Sequence, residues 1–194
     1  MIPNTQAIQR PSLARQAACV LAGTIVIAIA AQISVPMYPV PMTLQTLAIL
    51  GVGFALGARL GAITVLAYLA EGALGLPVFA NFSNGAAFFG PTAGFLVGFV
   101  GMAYVAGLAR DRGLTGPVAL SAVAVAASLA LYLPGLAWPM GVAGALGVPV
   151  WGADLAVGPL AVAFMTPFVI GDVVKAVIAG LLASGGLSWL RARG

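Results

Sequence analysis

Few side chains in this sequence of 194 residues can perform acid–base, nucleophilic or metal chemistry. The chain has no histidine and a single cysteine, Cys19. It therefore lacks both the usual general base and the commonest metal ligand, and one cysteine alone cannot close a disulfide or form a thiolate metal site. We predict no catalytic residue, no metal and no cofactor.

One pair of charged side chains has a spacing that suggests a site. Asp172 and Lys175 lie three residues apart, so on a helix they share a face. A structural ion pair at the start of that helix, with Asp172 complementing the helix dipole, explains the spacing equally well. Ionisable residues at membrane depth usually face a cavity, however, and Lys175 is the only lysine. We therefore expect its ammonium to receive an anionic solute.

The composition indicates that these residues lie in a membrane protein. The chain is 62% hydrophobic and 6% charged, with a mean hydropathy of +1.12, whereas soluble domains are about 25% charged. Its eight cationic residues are scattered through apolar sequence. Such a distribution cannot form the basic face that nucleic-acid binding requires, so we expect no nucleic-acid partner.

The arginines predict the topology. They divide the chain into three stretches, each long enough to cross the bilayer and return. If each does so, every arginine lies on one side, which the positive-inside rule assigns to the cytoplasm. We thus predict one all-α domain, residues 1–194, a bundle of six transmembrane helices with both termini cytoplasmic. The predicted helices are 12–33, 43–57, 60–73, 92–108, a fifth from Pro117 to a break at Pro134 and Gly135, and 172–190, with a short outer helix at 153–164.

The outer segments carry the other candidate binding residues. The predicted loop 75–91 sets Asn81 among aromatic residues, which is the mixture that a small-molecule pocket needs. Gln45, on the first turn of the second helix, can also donate and accept hydrogen bonds. We assign the remaining outer aromatics to the membrane interface, where they are enriched: Tyr38, Tyr132, Trp138 and Trp151.

A row of small residues on the first helix allows close approach of another helix. The row consists of Ala14, Ala18 and Ala22, and it suits either internal packing or docking of a second membrane protein. The sequence contains no phosphate-binding G-x-x-x-x-G-K-[ST] motif. If the chain transports a solute, another subunit supplies the energy.

Four strings, in order along the chain, resemble one family. They are Pro39-Val-Pro-Met-Thr-Leu-Gln-Thr46, Tyr68-Leu-Ala-Glu-Gly-Ala-Leu-Gly-Leu-Pro-Val-Phe-Ala80, Gly90-Pro-Thr-Ala-Gly-Phe-Leu-Val-Gly-Phe99 and Gly171-Asp-Val-Val-Lys175. The sequence is similar, over nearly its whole length, to the biotin-specific substrate-binding component (BioY) of energy-coupling factor transporters. It departs from that family in a loop richer in Asn and Phe after Phe79, and in Phe95, where tyrosine is common.

The resemblance implies a six-helix bundle in the cell membrane that captures biotin from outside. The implied partners are a transmembrane coupling protein and cytoplasmic ATPase subunits. By position, the implied vitamin contacts are Asn81, Asp172 and Lys175. The implied docking residues are Ala14, Ala18 and Ala22.

The resemblance and the residues together give one binding hypothesis. Lys175 binds the carboxylate, Asn81 and Asp172 bind polar groups, and the apolar part of the ligand contacts three aromatic residues, Tyr68, Phe79 and Phe88. Three alternatives remain: a different anionic vitamin, a membrane enzyme that uses Glu71 or Asp172 as its acid or base, and a structural partner in a larger complex.

Overall fold

The computed structural model describes residues 12–191, and the side chains of residues 12–186. This part of the chain contains seven helices and one short hairpin. The helices are α1 (Leu13–Gln32), α2 (Gln45–Leu56), α3 (Ala58–Ala73), α4 (Ala93–Asp111), α5 (Pro117–Ala145), α6 (Val157–Phe164) and α7 (Thr166–Arg191). The hairpin pairs β1 (Ser34–Val35) with β2 (Met42–Thr43), and two 3₁₀ turns, Ala80–Phe82 and Gly85–Phe89, lie between α3 and α4.

Within residues 12–191, four helices are long and apolar enough to cross a bilayer, namely α1, α4, α5 and α7. The helices α2 and α3 have 12 and 16 residues. At 1.5 Å per residue they span about 18 and 24 Å, less than the hydrocarbon thickness of about 30 Å, so crossing requires local thinning of the bilayer. The number of six crossings and the cytoplasmic location of both termini stay predictions.

The arginines of two successive turns lie at one end of the bundle. Gly57 joins α2 to α3 directly, and the Asp111 carboxylate, at the end of α4, accepts a hydrogen bond from the Ala58 backbone N–H at 2.9 Å. Arg59 follows Ala58 in the sequence, and Arg110 and Arg112 flank Asp111. This contact therefore places the three arginines at the same end of the bundle, as the positive-inside argument requires. Arg10 and Arg193, on which that argument also depends, lie outside the described residues.

The predicted break at Pro134 and Gly135 is wrong. The helix α5 continues to Ala145 through a π turn at Trp138–Val142. Proline removes only one backbone donor, and such interruptions are tolerated in membrane helices when neighbouring elements accommodate them. Here Gly94 and Gly98 of α4 lie against Pro134 so closely that a side chain at either glycine would overlap it.

The predicted start of the last helix at Asp172 is also wrong, because α7 begins at Thr166. Asp172 therefore lies in the second turn of the helix, where its carboxylate no longer serves the terminal dipole. The short outer helix is shorter than predicted and begins at Val157.

Small residues set the distance between α2 and its neighbours. A Cβ atom added to Gly53 would lie 2.5 Å from the carbonyl oxygen of Ala103 and 2.8 Å from the Cβ of Ala106, both on α4. This close approach is typical of membrane helices, where van der Waals contact replaces the hydrophobic effect as the source of association. It holds α2 beside α4 and α7, and each of these three helices contributes residues to the site.

Candidate functional site

A cavity of about 370 Å³ opens at the end of the bundle opposite the arginines. Its walls come from residues 40–43 at and before β2, from the first turn of α2, from the α3–α4 loop, and from α4, α5, α6 and α7. The apolar lining includes five phenylalanines: Phe79, Phe95, Phe99, Phe164 and Phe168. A volume in this range, with aromatic walls and a few polar groups, is typical of small-molecule sites.

A buried ion pair forms the polar part of the cavity wall. The Lys175 ammonium lies 2.6 Å from Oδ1 of Asp172, and both side chains are about nine-tenths buried. The ammonium also donates to the backbone carbonyl oxygen of Thr43 at 2.9 Å. Since a lysine carries one further N–H donor, the ammonium keeps one donor for a ligand. Asp172 thus compensates the charge of the ammonium, as the ion-pair interpretation of the i, i+3 spacing expects.

Asp172 is held by three side chains from three helices. Besides the ion pair with Lys175, its Oδ2 accepts a hydrogen bond from the Tyr132 hydroxyl at 2.6 Å, and its Oδ1 accepts a longer one from Thr46 at 3.5 Å. An aspartate at this depth stays charged only when it is paired and hydrogen-bonded. The partners therefore fix the position of the carboxylate.

The assignment of Tyr132 to the membrane interface is wrong. Its side chain is 3% exposed, lines the cavity and lies on the inner face of α5. In the sequence, Tyr132 lies two residues before the predicted helix end at Pro134, where an interfacial tyrosine is common. Because α5 continues past that proline, Tyr132 lies inside the bundle.

Gln45 connects the cavity to the α3–α4 loop. Its amide Nε2 donates to the Tyr68 hydroxyl at 2.7 Å, and that hydroxyl donates to the carbonyl oxygen of Val78 at 2.9 Å. The Thr43 hydroxyl donates to Gln45 Oε1 at 3.0 Å. Gln45 lines the cavity, as predicted for a polar wall residue, whereas Tyr68 is fully buried behind it.

Of the three aromatic residues expected to contact the ligand, only Phe79 lines the cavity. The Tyr68 ring packs edge-on against Phe79 with centroids 5.2 Å apart, and Phe88 does so from another side at 5.5 Å. Such edge-to-face pairs are favourable geometries for aromatic rings. Tyr68 and Phe88 therefore support Phe79 from behind.

Asn81 lies at the mouth of the cavity, on the exposed tip of a tight turn. The turn is closed by a backbone hydrogen bond from the Phe79 N–H to the Ser83 carbonyl at 3.0 Å. The hydroxyl of Ser34, in β1, donates to Asn81 Oδ1 at 3.2 Å. The structure thus brings Asn81, Gln45, Phe79, Asp172 and Lys175 around one cavity, from three separate parts of the chain.

Sequence reasoning missed several residues of the cavity wall. Phe95 and Phe99 lie four residues apart on α4, and Phe164 and Phe168 repeat that spacing across the junction of α6 and α7. Phe95 and Phe99 share a face of α4, and this signal could have identified them. Phe164 and Phe168 lie on different helices, so their spacing carries no such signal. Nothing in the sequence around Thr46 distinguishes it from other threonines.

The row of small residues on α1 faces away from the bundle. Ala14, Ala18 and Ala22 are exposed, whereas Ile27 and Ala31, on the other face, are fully buried. Of the two readings left open by the sequence, internal packing within this chain is therefore wrong for this row.

Comparisons with known proteins agree on one family. The model of the BioY family matches residues 4–192. The biotin transporter BioY of Thermotoga maritima is 38% identical over 164 residues, which cover 82% of this chain and 88% of that protein. The biotin transporter BioY of Rhizobium etli is 41% identical over 159 residues, 77% of this chain and 79% of that protein.

A solved structure has the same fold. It is the crystal structure of the S-component for biotin from an ECF-type ABC transporter, with a TM-score of 0.71 and 21% identity over 95% of this chain and 96% of that one. The predicted all-α class is confirmed, and with its apolar helices the chain is a multi-pass protein of the cell membrane. Because the family model spans nearly the whole sequence and the relatives match along most of it, this chain belongs to the BioY family.

Proposed function

We propose that this chain captures biotin from outside the cell and serves as the substrate-binding component of an energy-coupling factor importer. The observation that carries the proposal is the buried Asp172–Lys175 pair in the wall of an aromatic cavity. Biotin combines a carboxylate and a ureido group with an apolar ring and chain. The cavity offers charged and amide groups beside five phenylalanine rings, which complements that mixture.

We assign each part of the ligand to a part of the cavity. The free donor of Lys175 binds the carboxylate, Asn81 and Asp172 bind polar groups, and Phe79 with the other phenylalanines contacts the ring and chain. A charge-assisted hydrogen bond contributes about 1.5–3 kcal/mol, more than a neutral one. The whole chain acts as one membrane-embedded binding domain.

The competing functions lack comparable support. A membrane enzyme based on Glu71 needs that residue beside a substrate, but Glu71 lies outside the cavity wall. Membership of a transporter family also argues against chemistry on the ligand. A different vitamin remains an outcome of the ligand test.

The ligand test measures thermal unfolding of the detergent-purified chain. A ligand that binds only the folded state raises the unfolding temperature, and the increase grows with ligand concentration. We expect stabilisation by biotin and not by lipoate, which has a carboxylate and an apolar sulfur ring but no ureido group. Equal stabilisation by lipoate or by another anionic vitamin such as pantothenate would contradict biotin as the substrate.

We further propose that the exposed row on α1 docks the transmembrane coupling protein, which in turn contacts the ATPase subunits. Small side chains permit close helix contact, so Ala18→Leu should prevent co-purification with the coupling protein while biotin binding stays unchanged. Ala18→Ser, which keeps a small side chain at the same position, is the matched control and should co-purify normally. Retention of the partner by Ala18→Leu would exclude this docking surface.

A further inference from the structure

The last residue of α1 holds the turn that carries Asn81. The Gln32 amide Nε2 donates to the carbonyl oxygen of Phe79 at 3.0 Å, and its Oε1 accepts from the backbone N–H of Phe82 at 2.9 Å. One side chain thus bridges the start and the end of the tight turn. An amide side chain can donate and accept in this way, whereas carboxylates only accept and ammonium groups only donate.

The turn needs such support because two of its residues adopt an unfavourable backbone conformation. Asn81 and Phe82 both have φ of 56°, in the left-handed region. Asparagine tolerates this conformation, but phenylalanine rarely adopts it. Residues in this region persist only where surrounding contacts fix them. The two hydrogen bonds from Gln32 supply that constraint at the residues that flank Asn81.

The same end of α1 also orients the Asn81 side chain. The Ser34 hydroxyl, two residues after Gln32, donates to Asn81 Oδ1 at 3.2 Å. Because Oδ1 already accepts this hydrogen bond, the amide nitrogen is the part of the Asn81 side chain that has no hydrogen-bond acceptor among the described residues. A ligand group that accepts hydrogen bonds, such as a carbonyl oxygen, complements this nitrogen.

We infer that Gln32 is a positioning residue for ligand binding, which acts through Asn81 and does not itself line the cavity. The inference rests on the proposed function, because it concerns the same cavity. Gln32 links the outer end of α1 to the turn that carries Asn81. This link fixes the conformation in which Asn81 presents its amide to the ligand.

A double-mutant cycle tests this link. We expect Gln32→Leu to weaken biotin binding by about ten-fold, as loss of two hydrogen bonds implies. If Gln32 acts through Asn81, Asn81→Ala alone and Asn81→Ala combined with Gln32→Leu should bind biotin equally, since coupled residues are not additive. Ile33→Ala, at the exposed residue that directly follows α1, is the control and should bind normally.

The outcomes separate the inference from the proposed function. Additive losses in the double variant, or unchanged affinity of Gln32→Leu, would overturn the positioning role while biotin binding by the parent chain stands. If the parent chain itself fails to bind biotin, the proposed function falls. Thermal unfolding of each ligand-free variant controls for loss of fold, because a purely structural defect lowers the unfolding temperature without coupling to Asn81.

Discussion

Asp172→Ala should abolish measurable biotin binding and destabilise the ligand-free protein. The change removes the partner of Lys175, the acceptor of the Tyr132 hydroxyl and the acceptor of Thr46. It leaves an ammonium buried without a counter-charge, which costs about 3–5 kcal/mol. We expect a biotin affinity lower by about 100-fold or more, measured by isothermal titration, and a lower unfolding temperature.

Two further variants distinguish loss of the fold from loss of the binding site. Tyr132→Phe removes one hydrogen bond but leaves the ion pair, so we expect a smaller loss of biotin affinity, about ten-fold or less. Asp172→Asn combined with Lys175→Met removes both charges, and should recover stability without recovering affinity. Parental affinity in Asp172→Ala, or recovered binding in the uncharged double variant, would remove the pair from the site.

Lys175→Met should eliminate the preference for a charged ligand. The substitution keeps an unbranched side chain of similar length but has no N–H donor. We expect the parent chain to prefer biotin over its neutral amide by about ten-fold or more, because one charge-assisted hydrogen bond contributes about 1.5–3 kcal/mol. In the variant, titrations should give similar affinities for biotin and the amide.

The same comparison tests the orientation of the ligand. If the ureido group, and not the carboxylate, contacts Lys175, the variant loses affinity for both ligands equally and the preference persists. Lys175→Arg keeps the charge and serves as the control in which the preference should remain. A preference for biotin that survives in Lys175→Met contradicts the carboxylate assignment.

Local chemistry made much of the helical fold predictable. The Ser12 hydroxyl caps α1 by accepting from the Arg15 N–H, and the predicted start at residue 12 is one residue from the observed start. Errors arose where tertiary packing overrides a local signal. Pro134 is a helix breaker by propensity, but two glycines on α4 accommodate it inside α5, and no property of α5 alone indicates this.

The candidate site was predictable as a set of chemical groups and less so as a geometry. The i, i+3 spacing correctly indicated that Asp172 and Lys175 share a face, and they form an ion pair. The spacing could not indicate the partners from distant segments, such as the Tyr132 hydroxyl or the Thr43 carbonyl. Nor could it tell Phe79, which lines the cavity, from Phe88 behind it, because aromatic composition carries no information about depth.

The most direct test of the proposed capture site is an experimental structure of the chain with biotin bound. We expect one biotin molecule in the cavity, with its carboxylate within hydrogen-bond distance of the Lys175 ammonium and its ring against Phe79. Biotin found elsewhere on the protein, or bound with Lys175 and Asp172 remote from it, would contradict the proposed capture site.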